Sequence, residues 1–134
     1  MHSIRPMSQE DLDQVAAIQG PDSPWKPENY LLFDAWVLVA GEVAGFLVTR
    51  SVYLDEEFEI LNLAVGVEHR RKGYARLLLE TAIQRHPGIW FLEVRTTNEP
   101  AIELYKSLSF KESGVRKDYY QNPTEDGIVM VRKA

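Results

Sequence analysis

From Ala35 to Val94 the apolar residues pass from strand spacing to helix spacing and back, and few folds accommodate that order. Ala35 to Ala40 and Val43 to Tyr53 are β-branched and aromatic runs parted by Gly41-Glu42, the pattern of a hairpin with a two-residue turn. A third run, Phe58 to Val65, follows an acidic turn at Asp55 to Glu57. Leu77, Leu78, Ala82 and Ile83 then recur at helical spacing until Pro87-Gly88 stops them. Ile89 to Val94 is almost continuously apolar, as a strand buried on both faces would be. Pro100 suits the first turn of a helix burying Ile102, Leu104 and Leu108, and two last strands are expected around Lys111 to Tyr119 and Ile128 to Arg132. Near the start, Ser8 and Asp11 have the spacing of a capping box ahead of Leu12, Val15, Ala16 and Ile18, which predicts a helix from about Gln9 to Gln19. Gly20 to Pro27, with three prolines and one glycine, is a loop. Strands on both sides of helices, some adjacent and some joined by crossovers, predict an α/β (α+β) fold: one domain over residues 1–134, with a mixed, mostly antiparallel sheet and helices on both faces.

At 134 residues, 45% of them apolar, the chain has enough material for one hydrophobic core and too little for two ordinary domains. It has no cysteine, which excludes disulfides, thiolate metal sites and a Cys-His nucleophile. His2, His69 and His86 are scattered and no carboxylates stand at ligand spacing beside them, so no metal is expected. No run approaches the roughly 20 apolar residues that cross a bilayer, and the first residues lack the apolar core of a leader, so a soluble, cytoplasmic protein without a membrane partner is expected. A formal charge of -5 argues against a nucleic-acid partner and suits a cationic substrate.

The richest local signal is Arg70-Arg71-Lys72-Gly73-Tyr74-Ala75, three cations and two small residues around an aromatic, between a strand and a helix. The first amides of a helix lack internal partners and carry the positive end of its dipole, so backbone groups there can hold a pyrophosphate. Gly73 permits close backbone approach and Ala75 keeps the next turn open. A Walker loop needs a second glycine followed by Lys and Ser or Thr, and a dinucleotide fingerprint needs three glycines; neither is present. Taken alone, the segment is equally a basic turn in solvent.

With this loop placed after Leu61-Asn62-Leu63-Ala64-Val65, the order of elements resembles the GNAT superfamily of N-acetyltransferases. Within it, Leu92-Glu93-Val94-Arg95, then Asn98, then Ala101 through Phe110, and finally Tyr119-Tyr120 are similar to the RimI-type family of ribosomal-protein-alanine N-acetyltransferases, over about Ile60 to Val131. Arg70, Gly73 and Ala75 match that family's phosphate pattern, and the resemblance implies acetyl-coenzyme A as cosubstrate. The sequence departs from the family at Gly66-Val67, where Asp-Pro is usual, at Ser109, where glycine is usual, and in a short connection at His86 to Gly88; Ser109 is expected to strain its turn.

Direct acetyl transfer needs a neutral amine, a polarised thioester carbonyl and a proton for the departing thiolate. Regular alternation puts Glu93 on the strand face of Ile89 and Phe91. A carboxylate in those surroundings suits a general base, the role the resemblance implies, or an ion pair with Arg95 or Arg50. The resemblance makes Tyr105 the proton donor to the thiolate, whereas its spacing from Ile102 and Leu108 equally fits core packing. Asn98 is either a helix cap or a coenzyme contact. Backbone groups of Leu63, Ala64 and Val65 are expected along the pantetheine arm, together with the diphosphate contacts of Arg70, Arg71, Lys72, Gly73, Tyr74 and Ala75; Asn62 reads as structural. On the acceptor side, Trp25, Glu28 and Tyr30 in one loop and Tyr119-Tyr120 in another resemble the segments flanking the peptide entrance of N-terminal acetyltransferases, with Glu28 a second candidate base and Trp25 or Tyr30 alternatively a lid on the first helix. An α-amine has a pKa near ~8 and a lysine near ~10.4, so deprotonating lysine costs about 3 kcal/mol more at neutral pH. A single carboxylate therefore manages an α-amine more easily. Tyr119-Tyr120, whose hydroxyls can pair with an extended backbone, favour a protein N-terminus over a small amine, with a ribosomal protein implied by the resemblance. Glu93 and Tyr105 together speak against a non-catalytic acetyl-coenzyme A sensor.

Overall fold

The computed structural model describes residues 1–20, 23–54 and 56–133. Pro21 and Asp22 of the expected proline-rich loop, and Asp55 of the expected acidic turn, lie outside the described residues. The elements are β1 (Ser3–Pro6), α1 (Leu12–Gln19), β2 (Asp34–Ala40), β3 (Glu42–Tyr53), β4 (Glu57–Val65), α2 (Tyr74–Arg85), β5 (Ile89–Arg95), α3 (Glu99–Ser107), β6 (Lys111–Tyr120) and β7 (Glu125–Arg132). Short 3₁₀ turns cover Gln9–Asp11, Pro27–Leu32 and Val67–His69. The strands form one sheet of seven in the order β1-β2-β3-β4-β5-β7-β6, with β4 and β5 parallel and β1/β2, β2/β3, β5/β7 and β6/β7 antiparallel. A parallel pair requires a crossover, which α2 supplies. The β4/β5 ladder runs from Glu57/Ile89 to Glu59/Phe91, while the strands continue to Val65 and Arg95.

The contacts gather into two compact units, Met1–Arg50 with Leu61–Gln84, and Ser51–Ile60 with Arg85–Ala134, so that β3 and β4 contribute to both. In the first, Met7, Val15, Tyr30, Val37, Phe46 and Val48 form a buried cluster. The predicted helix at Gln9 begins as a 3₁₀ turn and becomes helical at Leu12. There the Ser8 amide donates to Asp11 Oδ2 at 2.8 Å, while Arg5 grips the same carboxylate with two nitrogens at 2.7 and 2.8 Å. This fork holds the buried Asp11 carboxyl down at about 2. The stripe of α2 differs from expectation: Leu78, Leu79 and Ala82 are buried, whereas Leu77 and Ile83 are half-buried.

One irregularity in the first unit shapes the end of β4. The β2/β3 hairpin turns on Gly41 alone, at φ +80°, rather than on two residues, and its register slips between Leu38/Gly45 and Val39/Val43, leaving Ala44 as the extra residue of a bulge. The Ala44 carbonyl accepts the Gly66 amide at 2.8 Å. At Gly45 a Cβ would lie 2.9 Å from the Ala64 carbonyl oxygen, so only glycine lets β3 approach β4 this closely.

In the second unit the buried side chains include Phe58, Trp90, Leu92, Val94, Tyr105, Phe110 and Met130, with Phe58 stacked on Trp90 at 5.1 Å. Instead of being buried on both faces, β5 alternates: Trp90, Leu92 and Val94 are buried, and Phe91, Glu93 and Arg95 are half-buried on the other face. In α3 the buried residue is Tyr105, while Ile102, Leu104 and Leu108 are only partly covered. Ser109 stands at φ +73°, the left-handed region a side chain resists, which is the physical reason a glycine suits that turn.

Candidate active site

In the first unit, Arg70, Arg71, Lys72 and Gly73 are exposed on the turn leading into α2, with Tyr74 and Ala75 half-buried in its first turn. Arg71 and Gly73 both have positive φ, +65° and +78°, and among the described residues no atom outside the adjoining ones lies within 4 Å of where a Gly73 side chain would begin. Open space, exposed cations and the unpartnered first amides of a helix are what a diphosphate needs, so these residues fit that group. Arg70 Nε also donates to the Val65 carbonyl at 3.3 Å, tying the loop to the strand before it. The adjoining 3₁₀ turn is held by His69, whose Nε2 lies 2.9 Å from Glu42 Oε2. Glu68 completes a trio of ligand-type groups that sequence spacing did not disclose, because Glu42 comes from a distant strand; both carboxylates are exposed.

The strand leading to the loop changes character along its length. Phe58 and Ile60 are buried, but every residue from Leu61 to Val65 is half-open. Of the backbone groups expected along the pantetheine arm, the Leu63 amide already donates to the side-chain oxygen of Asn62, at 2.9 Å. Trp25 is half-buried and Glu28 exposed, whereas Tyr30 is fully buried. Its ring packs on Trp25 and Phe46 at 5.6 and 5.4 Å, and its hydroxyl donates to Gln19 Oε1 at 2.6 Å and accepts from Asn62 Nδ2 at 2.7 Å. Burial raises its pKa against the opposing pull of Asn62 and Ser23. Of the two readings of Tyr30, acceptor contact or lid on the first helix, the ring in the core and the hydroxyl bonded to Gln19 of α1 agree with the second, and the side chain anchors the Pro27–Leu32 turn.

In the second unit, Glu93 stands on the half-open face of β5 with its side chain only 10% exposed. Its expected partners are replaced by Arg116 of β6, whose Nε lies 3.2 Å from Oε1. The other oxygen, Oε2, is buried and has no hydrogen-bond partner among the described residues, a costly condition for a carboxylate and one a substrate proton would relieve. Arg116 also lies over the ring of Tyr119, 5.3 Å from its centroid. Hydrogen bonding with Glu93 is the main cause that raises the Tyr119 phenol. The Tyr120 phenol is pushed up to about 12, first by burial and then by the charge of Glu93. Tyr105 is 7% exposed against Phe110, and burial, with a smaller contribution from Tyr120, pushes its phenol well above the ordinary range. Burial thus favours its protonated form. Asn98 caps α3: its side-chain oxygen accepts the Ala101 amide at 3.3 Å.

Sequence reasoning missed the cluster that fixes Tyr119 and Tyr120. Arg95 donates to the Gln121 and Pro123 carbonyls at 2.8 and 3.0 Å, covers the Tyr120 ring at 4.6 Å and meets Glu125 at 3.2 Å. Glu125 in turn accepts from the Thr96 hydroxyl at 2.9 Å and the Thr97 amide at 2.7 Å. Hydrogen bonding by the Thr97 side chain, then by the Thr97 amide, Thr96 and Arg95, holds its carboxyl down at about 2. Beside it, a Cβ on Gly127 would come within 3.2 Å of both tyrosine rings, so glycine makes the room they occupy. No local pattern announces any of these partners.

The chain matches the model of the acetyltransferase (GNAT) family over residues 3–110. It is 41% identical to the [ribosomal protein bS18]-alanine N-acetyltransferase of Escherichia coli over 75% of this chain, although the match spans only 66% of that relative's length. An N-alpha-acetyltransferase of Saccharolobus solfataricus is 30% identical, with 97% of this chain and 92% of the relative covered. Among solved structures, the ribosomal-protein-S18-alanine N-acetyltransferase of Escherichia coli superimposes with a TM-score of 0.86 at 32% identity, covering 99% of this chain and 94% of that one. With this match over residues 3–110 and the strand order described, the chain belongs to the GNAT family of acetyltransferases.

Proposed function

We propose that this protein is a cytoplasmic enzyme transferring acetyl from acetyl-coenzyme A to the N-terminal α-amino group of a protein, with a ribosomal protein as the acceptor by analogy with its relatives. The observation carrying this reading is the buried Oε2 of Glu93, a carboxylate oxygen with no hydrogen-bond partner among the described residues and so open to accept a proton. The coenzyme supplies an activated acyl group and a thiol leaving group. Backbone and cations at Arg70, Arg71, Lys72, Gly73, Tyr74 and Ala75 hold its diphosphate, Leu63 to Val65 line its arm, and Asn98 offers its remaining amide hydrogens. Glu93 takes the proton of the amine and Tyr105 protonates the thiolate. Trp25, Glu28, Tyr119 and Tyr120 meet the acceptor, with the anchored Tyr30 supporting the first two.

Thiol release from acetyl-coenzyme A, measured against a panel of N-terminal peptides and small amines, tests this directly. Turnover only with peptides beginning with Ala or Ser is the expected result. Turnover only with free amines would overturn the acceptor assignment, and coenzyme binding without turnover would make the protein a sensor. Glu93→Gln is expected to lower kcat by roughly a hundredfold or more while leaving coenzyme affinity intact. Glu28→Gln distinguishes the second candidate base: if it alone abolishes turnover, Glu93 is structural.

A further inference from the structure

Four hydrogen bonds in the first unit run head to tail. The Leu63 amide donates to Asn62 Oδ1 (2.9 Å), Asn62 Nδ2 to the Tyr30 hydroxyl (2.7 Å), that hydroxyl to Gln19 Oε1 (2.6 Å), and Gln19 Nε2 to the Trp25 carbonyl (2.8 Å). The direction of the chain is forced. One end is a backbone donor and the other a backbone acceptor, so neither amide can flip without facing like to like, and only a hydroxyl can both accept and donate in the middle. Tyr30 is 0% exposed, so water does not replace a lost member there. The ends matter as well: one lies on the half-open stretch of β4, the other on the segment carrying Trp25 and Glu28.

We propose that Gln19, Tyr30 and Asn62 are a hydrogen-bonded strut that holds the Trp25–Leu32 segment at a set position against the Leu63 amide, which makes Gln19 and Asn62 positioning residues for acetyl transfer. The proposal rests on the acetyl-transfer reading above and adds residues to it. A rigid strut is useful because catalysis is sensitive to small displacements, with a shift of about 1 Å able to cost a hundredfold. Asn62, which reads as merely structural in the sequence, thereby serves both ends at once: its oxygen occupies a β4 amide and its nitrogen carries the load to Tyr30.

The test compares Gln19→Met, Asn62→Ala and the double variant by thiol release with an acceptor peptide, well below the melting temperature, together with amide hydrogen exchange at Leu63 by NMR. Each single variant is expected to lower kcat/KM for the peptide about tenfold. The double variant should be no worse than either single one, because one break already disables the strut. In Gln19→Met the affinity for acetyl-coenzyme A is expected to hold, while Leu63 exchange speeds up although Gln19 does not touch Leu63. Should Asn62→Ala not fold, Asn62→Asp keeps the acceptor for Leu63, loses the donor to Tyr30, and is expected to show the same loss. Unchanged turnover with only a lower melting temperature, additive losses, or unchanged Leu63 exchange in Gln19→Met would each overturn the strut. If the wild-type protein releases no thiol with any amine, the acetyl-transfer reading fails and the strut's catalytic role falls with it; turnover by the wild type with unimpaired variants sinks the strut alone.

Discussion

Two tyrosine-bearing segments, Trp25–Leu32 in the first unit and Tyr119–Glu125 in the second, are held in place by opposite chemistry. The first hangs on neutral groups, Gln19, Asn62 and Ser23, around a fully buried hydroxyl. The second is held by ions: Arg95 and Glu125 are 31% and 13% exposed and share their contacts with hydroxyls and backbone. A neutral chain carries no pH dependence but is brittle, because removing one member leaves its neighbours unsatisfied around a buried hydroxyl. A partly solvated ionic cluster has redundant contacts and gives way gradually, yet it is sensitive to acid.

The largest effect that could break this comparison is expected from Tyr30→Phe. It strands Asn62 Nδ2 and Gln19 Oε1 together, and at about 1–3 kcal/mol per unsatisfied group the loss should be roughly 3 kcal/mol, read by urea denaturation. Glu125→Gln, which keeps an acceptor oxygen, is expected to cost less; a larger loss than that of Tyr30→Phe would reverse the argument. Next comes Asp11→Asn, which carries the ionic chemistry into the first unit. Its carboxyl falls from 3.8 to about 2 because of Arg5, so at roughly 1.4 kcal/mol per pKa unit, discounted for the half-exposed Arg5, the substitution should cost about 1–2 kcal/mol at neutral pH. A depressed carboxylate stabilises the fold above its unfolded pKa and loses that contribution as pH falls through the folded one. The gap between wild type and Asp11→Asn should therefore close between pH 4 and 2; a gap independent of pH would show that packing, not charge, is lost.

The same sign applies to Glu125, lowered to about 2 from 4.5. In an Asp11→Asn background, amide exchange around Thr96, Thr97 and Tyr120 should accelerate as pH falls through that window, after correction for intrinsic exchange, while exchange at Leu63 stays level. Equal acceleration at both places would erase the distinction between the segments. The smallest effect concerns neither network: Ser109→Gly relieves a left-handed serine and should stabilise the protein by about 0.5–1 kcal/mol, less than the full left-handed penalty because glycine loses more entropy on folding. No gain in melting temperature would mean that the Ser109 turn is unstrained.

The order of elements, the loop at Arg70–Ala75 and the face on which Glu93 stands were legible in the sequence, because each follows from local rules: periodicity, the polarity of a helix end, and the alternation of a strand. Ser109 was legible too, as a residue out of place in a turn. What stayed hidden shares one property, that its meaning comes from a partner distant in sequence. Gly45 needs to be glycine because the Ala64 carbonyl faces it, a Cβ on Gly127 would crowd two tyrosine rings, and their own neighbours give no hint of either. Arg116 rather than Arg95 meets Glu93: the register sets both arginines level with Gly127, but the long side chain of Arg116 reaches diagonally across β7 to the carboxylate, while Arg95 is taken by Glu125. Tyr30 read as an acceptor contact or a lid on the first helix, and only the folded chain could bring Gln19 and Asn62 to its hydroxyl. Local chemistry thus determined which elements form and where the charged loop falls. Tertiary structure decided which polar groups are matched, since a hydrogen bond between distant residues exists only after hydrophobic packing has brought them together.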